Sequence, residues 1–384
     1  MRFEFAAAGR ILFGPGTLEE IPSLVDDLGK KALLVHGRGR ERARRLEEVL
    51  HPKGFEVVTF SVWGEPTTDL VEEGVRLARD EKCRVVLGIG GGSVLDTGKA
   101  IAALGPNDGP LLDYLEVIGK GKPLLVPSLP FVAIPTTAGT GSEVTRNAVL
   151  ASREHGVKVS LRNASMLPRL AVVDPLLTHS LPPTVTASTG MDALTQLIEP
   201  FLSNASNPLT DSLCREAIPR VARALPRAFR NGSDSRARED LALGSLFSGL
   251  ALANARLGAV HGLAGTLGGM FPAPHGAVCA RLLPLVFEAN AQALRSRNPL
   301  SPVLDRLAET ARLLTGKASA TPEDAVNRLQ SLCSDLCIPS LSAFGVTSGD
   351  IPVVAARARK ASSMKGNPVP LTDEELGEIL LRAL

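Results

Sequence analysis

The sequence predicts two domains of different class: an α/β domain with a parallel sheet over residues 1–180, then an all-α domain over residues 181–384. Three observations carry this. Short apolar runs alternate with amphipathic helical stretches through the first half; the runs end in glycine-rich or small polar turns; and after Leu181-Pro182-Pro183 strand-like runs stop while apolar residues three and four apart continue. Length agrees, because 384 residues exceed what one core usually organises.

The chain opens with a short strand-like stretch and a turn, Gly14-Pro15-Gly16. Lys31 to Val35 is apolar, and Gly37-Arg38-Gly39-Arg40 leads into an amphipathic helix that runs to Leu50. Phe55 to Phe60 alternates like a strand, whereas Thr68 to Asp80 places Leu70, Val71, Val75, Leu77 and Ala78 at helical spacing. Arg84 to Ile89 is a third buried strand. Strand, helix, strand, helix, strand requires parallel pairing with crossovers, and so a sheet covered on both faces.

That third strand ends in Gly90-Gly91-Gly92-Ser93, followed by Val94-Leu95-Asp96-Thr97-Gly98-Lys99. Glycines between a strand and a helix start let a backbone approach an anion closely, and the free amides of the first turn point at it, so phosphate binding is the natural function. A tight strand-to-helix connection needs glycine too, and the stretch matches neither G-x-G-x-x-G nor a P-loop. Asp96 and Lys99, three apart, also fit a helix-surface ion pair. Phe131 to Pro135 is another buried strand, ending in Thr136-Thr137-Ala138-Gly139-Thr140-Gly141-Ser142-Glu143. Its hydroxyls lie where ligands of open α/β sheets bind. Val144 to Leu150 and Val157 to Leu161 form a hairpin around Arg153-Glu154-His155-Gly156, and Leu170 to Asp174-Pro175 is a last short strand.

In the second half, Val185 to Leu202, Pro208 to Leu225, Ala237 to Leu257, Leu304 to Leu314 and Pro322 to Cys337 read as helices. At its start, Thr189-Gly190-Met191-Asp192-Ala193-Leu194-Thr195-Gln196 reads as a helix start that puts Asp192 and Gln196 on one face of an otherwise apolar stretch. His261, in Val260-His261-Gly262, and His275, in Pro274-His275-Gly276, lie in glycine-rich apolar surroundings and read as interior.

Composition excludes several classes. Net charge is +2 and aromatics are only 4%, so neither a basic stripe nor stacking platforms argue for nucleic acid. No signal-peptide pattern and no bilayer-length apolar run occur, so a cytoplasmic location and no membrane partner are expected. The five cysteines, with no metal-knuckle spacing, read as reduced and mostly structural; Cys333 and Cys337 fit one helix face.

Taken together, these motifs resemble those of the iron-containing (group III) alcohol dehydrogenases, over nearly the whole chain. Gly90 to Lys99 looks like the family's GGGSxxDxxK loop, Pro135 to Glu143 like PTTxGTGSE, and Asp174-Pro175 to Gln196 like its DPxLTxxLP…TGxDALTH segment. His261 and His275 sit in what look like its two histidine motifs. The resemblance implies a Rossmann-like dinucleotide-binding domain, a helical domain as in dehydroquinate synthase, and a divalent metal in the cleft between them. It also implies hydride exchange between a small alcohol, or its aldehyde or ketone, and NAD or NADP.

By that resemblance, Gly90, Gly91, Gly92, Ser93 and Asp96 hold the pyrophosphate and ribose side of the cofactor, Thr136, Thr137 and Ser142 the region leading to the nicotinamide, and Lys158 matches a family lysine near the cofactor. Asp192, His261 and His275 are the implied catalytic metal ligands for Fe(II) or Zn(II). Gln196 stands where the family usually has a third histidine, and Gly265 where it often has a further one, so a weak fourth ligand, reduced metal affinity and an altered proton relay are expected. Gly37 aligns where NAD-preferring members often carry Asp; with Arg38 or Arg40 available for a 2′-phosphate, NADP(H) preference is expected. A homodimer or larger assembly is expected through edge strands at Phe3-Glu4-Phe5 and Arg10-Ile11-Leu12-Phe13. Two other readings share the fold: a metal-independent maleylacetate-type reductase, and a catalytically silent nucleotide-binding protein. Dehydroquinate-synthase-like chemistry needs a richer basic and metal-binding set than this sequence offers.

Overall fold

The structure is a computed structural model in which residues 2–384 are described. The chain packs as two compact units, Ala7–His179 and Ser180–Leu384, the latter joined by the segment that ends at Ala6.

In chain order the first unit contains β1 (Ile11–Phe13), the single helical turn α1 (Ile21–Leu24), β2 (Lys31–His36), α2 (Arg40–Leu50), β3 (Glu56–Ser61), α3 (Thr68–Asp80), β4 (Val85–Gly90), α4 (Gly92–Leu104), β5 (Phe131–Pro135), β6 (Asn147–Ser152), β7 (Val157–Arg162) and β8 (Leu170–Val173). Six strands form one sheet in the order β1-β8-β5-β4-β2-β3, parallel throughout. The central strands are buried on both faces: every residue of β4 and β5 is buried, as a sheet covered by crossover helices demands. Apolar side chains on one face pack under α3 and α4 through Val71, Val75, Leu95 and Ile101; those on the other pack under α2 through Ala43, Leu46 and Leu50. β6 and β7 form a separate antiparallel hairpin.

Two features go beyond the periodicity of the sequence. β1 pairs with β8, far away in sequence, so Ile11–Phe13 is an edge of the sheet, whereas Phe3, Glu4 and Phe5 form no strand. β2 connects outward to β3, and the chain then crosses back to β4 on the other side of β2. The direction of winding therefore reverses between β2 and β4, which makes their carboxyl ends a topological switch point.

The second unit is helical: α5 (Pro183–Leu202), α6 (Pro208–Arg230), α7 (Ser235–Asn254), α8 (Ala259–Met270), α9 (His275–Arg297), α10 (Val303–Thr315), α11 (Pro322–Asp335), α12 (Ile351–Ala358) and α13 (Asp373–Ala383). Helix starts follow the capping chemistry of the sequence. Asn207 and Thr210 form a reciprocal box at α6, Thr321 and Asp324 at α11, and Thr372 and Glu375 at α13, each cap contributing about 1 kcal/mol. The stretch around Asp192 is not a helix start: α5 begins at Pro183, which leaves Asp192 in mid-helix and almost wholly buried. Cys337 lies beyond α11 at φ 53° and is exposed, whereas Cys333 is buried and its thiol donates to Ala280 O at 3.2 Å, so the two share no helix face. Among the described residues no single helix is long and apolar enough to cross a membrane.

Candidate metal centre and cofactor loops

Within the helical unit, three helices bring the polar residues together. α5 supplies Asp192, Gln196 and Glu199, at i, i+4 and i+7 on one face; α8 supplies His261; α9 supplies His275 and, one turn on, Cys279. Close approach of the helices rests on glycine. A Cβ at Gly276 would stand 2.3 Å from Ser188 O, so α9 meets α5 backbone to backbone there, bringing His275 to Asp192. The first turn of α5 is tied to α7 by the buried Arg238 guanidinium, which donates to Thr186 Oγ1 at 2.9 Å.

Asp192 Oδ1 lies 3.5 Å from His261 Nε2 and 3.7 Å from His275 Nε2, and Cys279 Sγ is 3.6 Å from His275 Nε2. One ligand atom from each of these four residues lies within 4.8 Å of all the others. Asp192 Oδ1 and His261 Nε2 are buried without a hydrogen-bond partner. Such orphaned atoms are rare and costly, about 1–3 kcal/mol each, so two that converge on one point indicate a missing partner. Donors around a tetrahedral cation, bound at about 2.0–2.3 Å, stand about 3.3–3.7 Å apart, the spacing of the three pairs above.

The ring of His261 is oriented from behind. Glu199 Oε2 is 2.6 Å from His261 Nδ1 and Oε1 accepts from the Val260 amide at 2.7 Å, so the carboxylate caps α8 and holds the proton on Nδ1. The Nε2 lone pair then faces the cluster, the carboxylate–histidine arrangement found behind metal ligands. Asn367 Oδ1 accepts from the neighbouring Ala259 amide at 3.1 Å. A Cβ at Gly258 would come within 2.9 Å of both Asn367 Oδ1 and Glu199 Oε1, so this position must lack a side chain.

The electrostatics agree. Burial works against a charged His261 ring, but Cys279, Glu199 and Asp192 outweigh it and hold its pKa well above the usual imidazole value. Cys279 and then Asp192 raise that of His275 against burial. Burial pushes the Asp192 carboxyl up, yet His275, His261 and the Gln196 hydrogen bond hold it below the ordinary range. The negative groups that favour protons on these imidazoles would equally favour a divalent cation in their place. The side chain of His275 is 39% exposed, so the cluster opens to solvent on that side.

Gln196, predicted as a weak fourth ligand, lies one turn after Asp192 on α5 and accepts from Ser248 Oγ at 3.2 Å through Oε1. Cys279 and Glu199 were not predicted. The signal for both was helical spacing: Cys279 follows His275 by four and Glu199 follows Asp192 by seven.

Within the α/β unit, three predicted loops converge at the carboxyl ends of β2, β4 and β5. The Thr136 amide donates to Gly90 O at 2.9 Å, and Cβ atoms at Gly91 and Gly92 would stand 3.3 and 2.7 Å from Thr137 and Thr140. A Cβ at Gly37 would lie 3.6 Å from Val94 Cγ2, while one at Gly90 would clash with Val94 at 2.5 Å. No side chain caps α4, and while the Val94 and Leu95 amides donate to Gly91 O, the amides of Gly92 and Ser93 at its start are placed for an anion. Arg38 stacks on the exposed Trp63, 5.0 Å from its ring centre.

Asp96 and Lys99 are an ion pair at 3.2 Å, but not a surface one: Lys99 is 1% exposed, beneath the hairpin. Its ammonium donates to Thr145 Oγ1 at 2.8 Å and to Asn147 O. Asp96 accepts from Ser142 Oγ at 2.6 Å and from the Val149 amide at 2.9 Å, so both its oxygens tie α4 to the following segment. Burial lowers the Lys99 pKa and raises that of the buried Glu143 to about 7. Lys158 lies on β7, paired with Glu65 at 2.8 Å.

The model of the iron-containing alcohol dehydrogenases matches residues 8–175, and that of the C-terminal region of the Fe-containing alcohol dehydrogenase family matches residues 186–384. Alcohol dehydrogenase 4 of Saccharomyces cerevisiae is 36% identical over 377 residues, covering 97% of this chain and 96% of that protein. The 1,3-propanediol dehydrogenase of Klebsiella pneumoniae is 36% identical over 394 residues, covering 99% and 98%. Among solved structures, a 1,3-propanediol oxidoreductase superposes with a TM-score of 0.93 at 35% identity, over 100% of both chains. Sulfoacetaldehyde reductase from Bifidobacterium kashiwanohense, in complex with NAD+, gives 0.89 at 29% identity, over 100% of this chain and 99% of that one.

Proposed function

The chain belongs to the iron-containing alcohol dehydrogenase family and is an oxidoreductase, and from that premise we propose how its own residues serve the reaction. It interconverts a small alcohol and its aldehyde or ketone by hydride exchange with a nicotinamide cofactor, NADP(H) in preference to NAD(H), and Asp192, His261 and His275 hold a divalent cation, Fe(II) or Zn(II). One observation carries the metal reading: Asp192 Oδ1 and His261 Nε2 are buried, without partners, and aimed at one point.

A bound divalent cation supplies Lewis-acid polarisation of the alcohol or carbonyl oxygen. The protein does the rest. Glu199 keeps the proton of His261 on Nδ1, so that Nε2 stays available. Asp192 carries the compensating charge, its carboxyl held below the ordinary range, against burial, by the two histidines. The uncapped start of α4 and the Gly90–Ser93 turn receive the cofactor's pyrophosphate, at a switch point of the sheet. Gly37 places no carboxylate beside the adenosine ribose, and the planar Arg38, held over Trp63, suits a 2′-phosphate. A homodimer or larger assembly and a cytoplasmic setting complete the reading, both carried by the sequence alone.

The test is a panel of small alcohols and aldehydes with each of the four cofactor forms, before and after chelation, with Fe(II) or Zn(II) added back. Turnover that falls on chelation and returns with metal is expected. Full activity in a preparation shown metal-free by elemental analysis would refute the metal site and favour a metal-independent reductase.

A further inference from the structure

Beside Asp192, His261 and His275, Gln196 is a weak candidate for the fourth position, since its Oε1 already accepts from Ser248 Oγ at 3.2 Å. The four donor residues that converge include a thiol. We propose that Cys279 is a metal ligand of this enzyme, completing an Asp192–His261–His275–Cys279 set that favours a thiophilic cation, Zn(II) above Mn(II) or Mg(II). The inference rests on the metal reading above and goes beyond it, because it changes the ligand chemistry and the charge of the centre.

Three observations support it independently of one another. Cys279 lies one helical turn after His275 in α9, so the backbone fixes both side chains on one face, whichever rotamers they adopt. Its Sγ is 3.6 Å from His275 Nε2, a separation that a cation with sulfur at about 2.3 Å and nitrogen at about 2.0–2.1 Å would span, and it lies within 4.8 Å of ligand atoms of Asp192 and His261, near enough for a side-chain rotation to bring it into range. The thiol is fully buried beside two buried atoms without a hydrogen-bond partner, Asp192 Oδ1 and His261 Nε2, in a spot where a cysteine serving only to pack would be expected to meet apolar side chains.

The charge balance is specific. On binding, the Sγ–metal bond forms as the S–H bond breaks and the proton leaves to solvent. A thiolate in place of a third histidine makes the loaded site one unit more negative. Soft thiolate selects among first-row metals, and carboxylate-and-water cations are disfavoured by it. Four protein donors would leave room for a substrate oxygen only by five-coordination, which Zn(II) accepts, and the half-exposed His275 is the side from which substrate would enter.

The test uses the full-length protein and its Cys279→Ser variant, each stripped and reloaded with zinc or cobalt(II) chloride. X-ray absorption of the zinc-loaded parent is expected to require one sulfur scatterer at about 2.3 Å that the variant lacks, and the cobalt-loaded parent a thiolate-to-cobalt band in the near ultraviolet, also lost in the variant. Zinc affinity should fall by more than about 100-fold in the variant, above the roughly 10- to 100-fold that loss of a supporting residue costs. Metal bound through nitrogen and oxygen alone in the parent overturns this inference and leaves the metal reading standing. Failure of the parent to bind either metal overturns both. The absorption measurement on the parent does not depend on the variant's folding.

Discussion

Replacing Glu199 by Gln should uncouple folding from metal binding. The carboxylate makes two buried bonds, 2.7 Å to the Val260 amide and 2.6 Å to His261 Nδ1. A glutamine keeps the first through its carbonyl oxygen, so α8 retains its cap. It then presents NH2 to Nδ1, which becomes the acceptor; the ring proton moves to Nε2, where it faces Asp192 Oδ1 and blocks the lone pair. Exchanging a charge-assisted bond for a neutral one costs about 1 kcal/mol of stability. Loss of such a supporting carboxylate lowers metal affinity about 10- to 100-fold, equivalent to about 1.4–2.7 kcal/mol. Competition with a chromophoric chelator gives the affinity, and denaturant unfolding of the metal-free forms gives the stability. An affinity equal to that of the parent would refute the orientation argument; a stability loss as large as the affinity loss would assign Glu199 to the fold instead.

Three further outcomes are expected. The Glu143 carboxyl is raised from 4.5 to about 7, so its stabilising contribution is complete below about pH 4.5 and lost as pH rises through 7. Glu143→Gln should therefore gain on the parent across that window, by about 3 kcal/mol; parallel pH–stability curves would count against it. Arg38→Ala should reduce the ratio of kcat/KM for NADPH to that for NADH, and an unchanged ratio would remove Arg38 from the 2′-phosphate. The sole tryptophan, Trp63, lies against that arginine, so NADPH should quench its fluorescence in the parent. Gly276→Ala puts a Cβ 2.3 Å from Ser188 O, and should cost about 1–3 kcal/mol and loosen metal binding, whereas Gly265→Ala, with nothing within 4 Å of the new atom, should leave affinity unchanged. Equal effects at the two glycines would disprove the close α5–α9 approach as its cause.

What the sequence could reveal follows from where its information is local. Thr68–Asp80 and Phe131–Pro135 were readable because one buries a single stripe at helical spacing and the other is apolar throughout, bounded by turn residues. α8 and α9 were not recognised as helices. α8 carries Gly262, Gly265, Gly268 and Gly269 and is buried on most sides, so no polar face marks its period. The pairing of β1 with β8 depends on residues far apart, which no window sees. In the site, Asp192 and the two histidines stood out as polar groups in apolar stretches. Cys279 did not, because a cysteine among Ala277, Val278 and Ala280 reads as packing, and Glu199 did not, because its partner His261 lies 62 residues further on. The Asp96–Lys99 pair was legible as three-apart spacing, but its burial is imposed by the β6–β7 hairpin, which is tertiary information.

The donors Asp192, His261, His275 and Cys279 belong to three helices that otherwise adhere by packing, and the stretch from the first to the last spans much of the helical unit. A cation gripping all four acts as a removable rivet. Closing a chain segment of that length by a cross-link restricts the unfolded chain by about 4–5 kcal/mol, as a disulfide would, yet it can be undone by a chelator without any change of redox state. Metal supply would then govern durability as well as turnover: a starved enzyme should become the protease-sensitive, heat-labile one, with α8 the first helix to exchange its amide hydrogens.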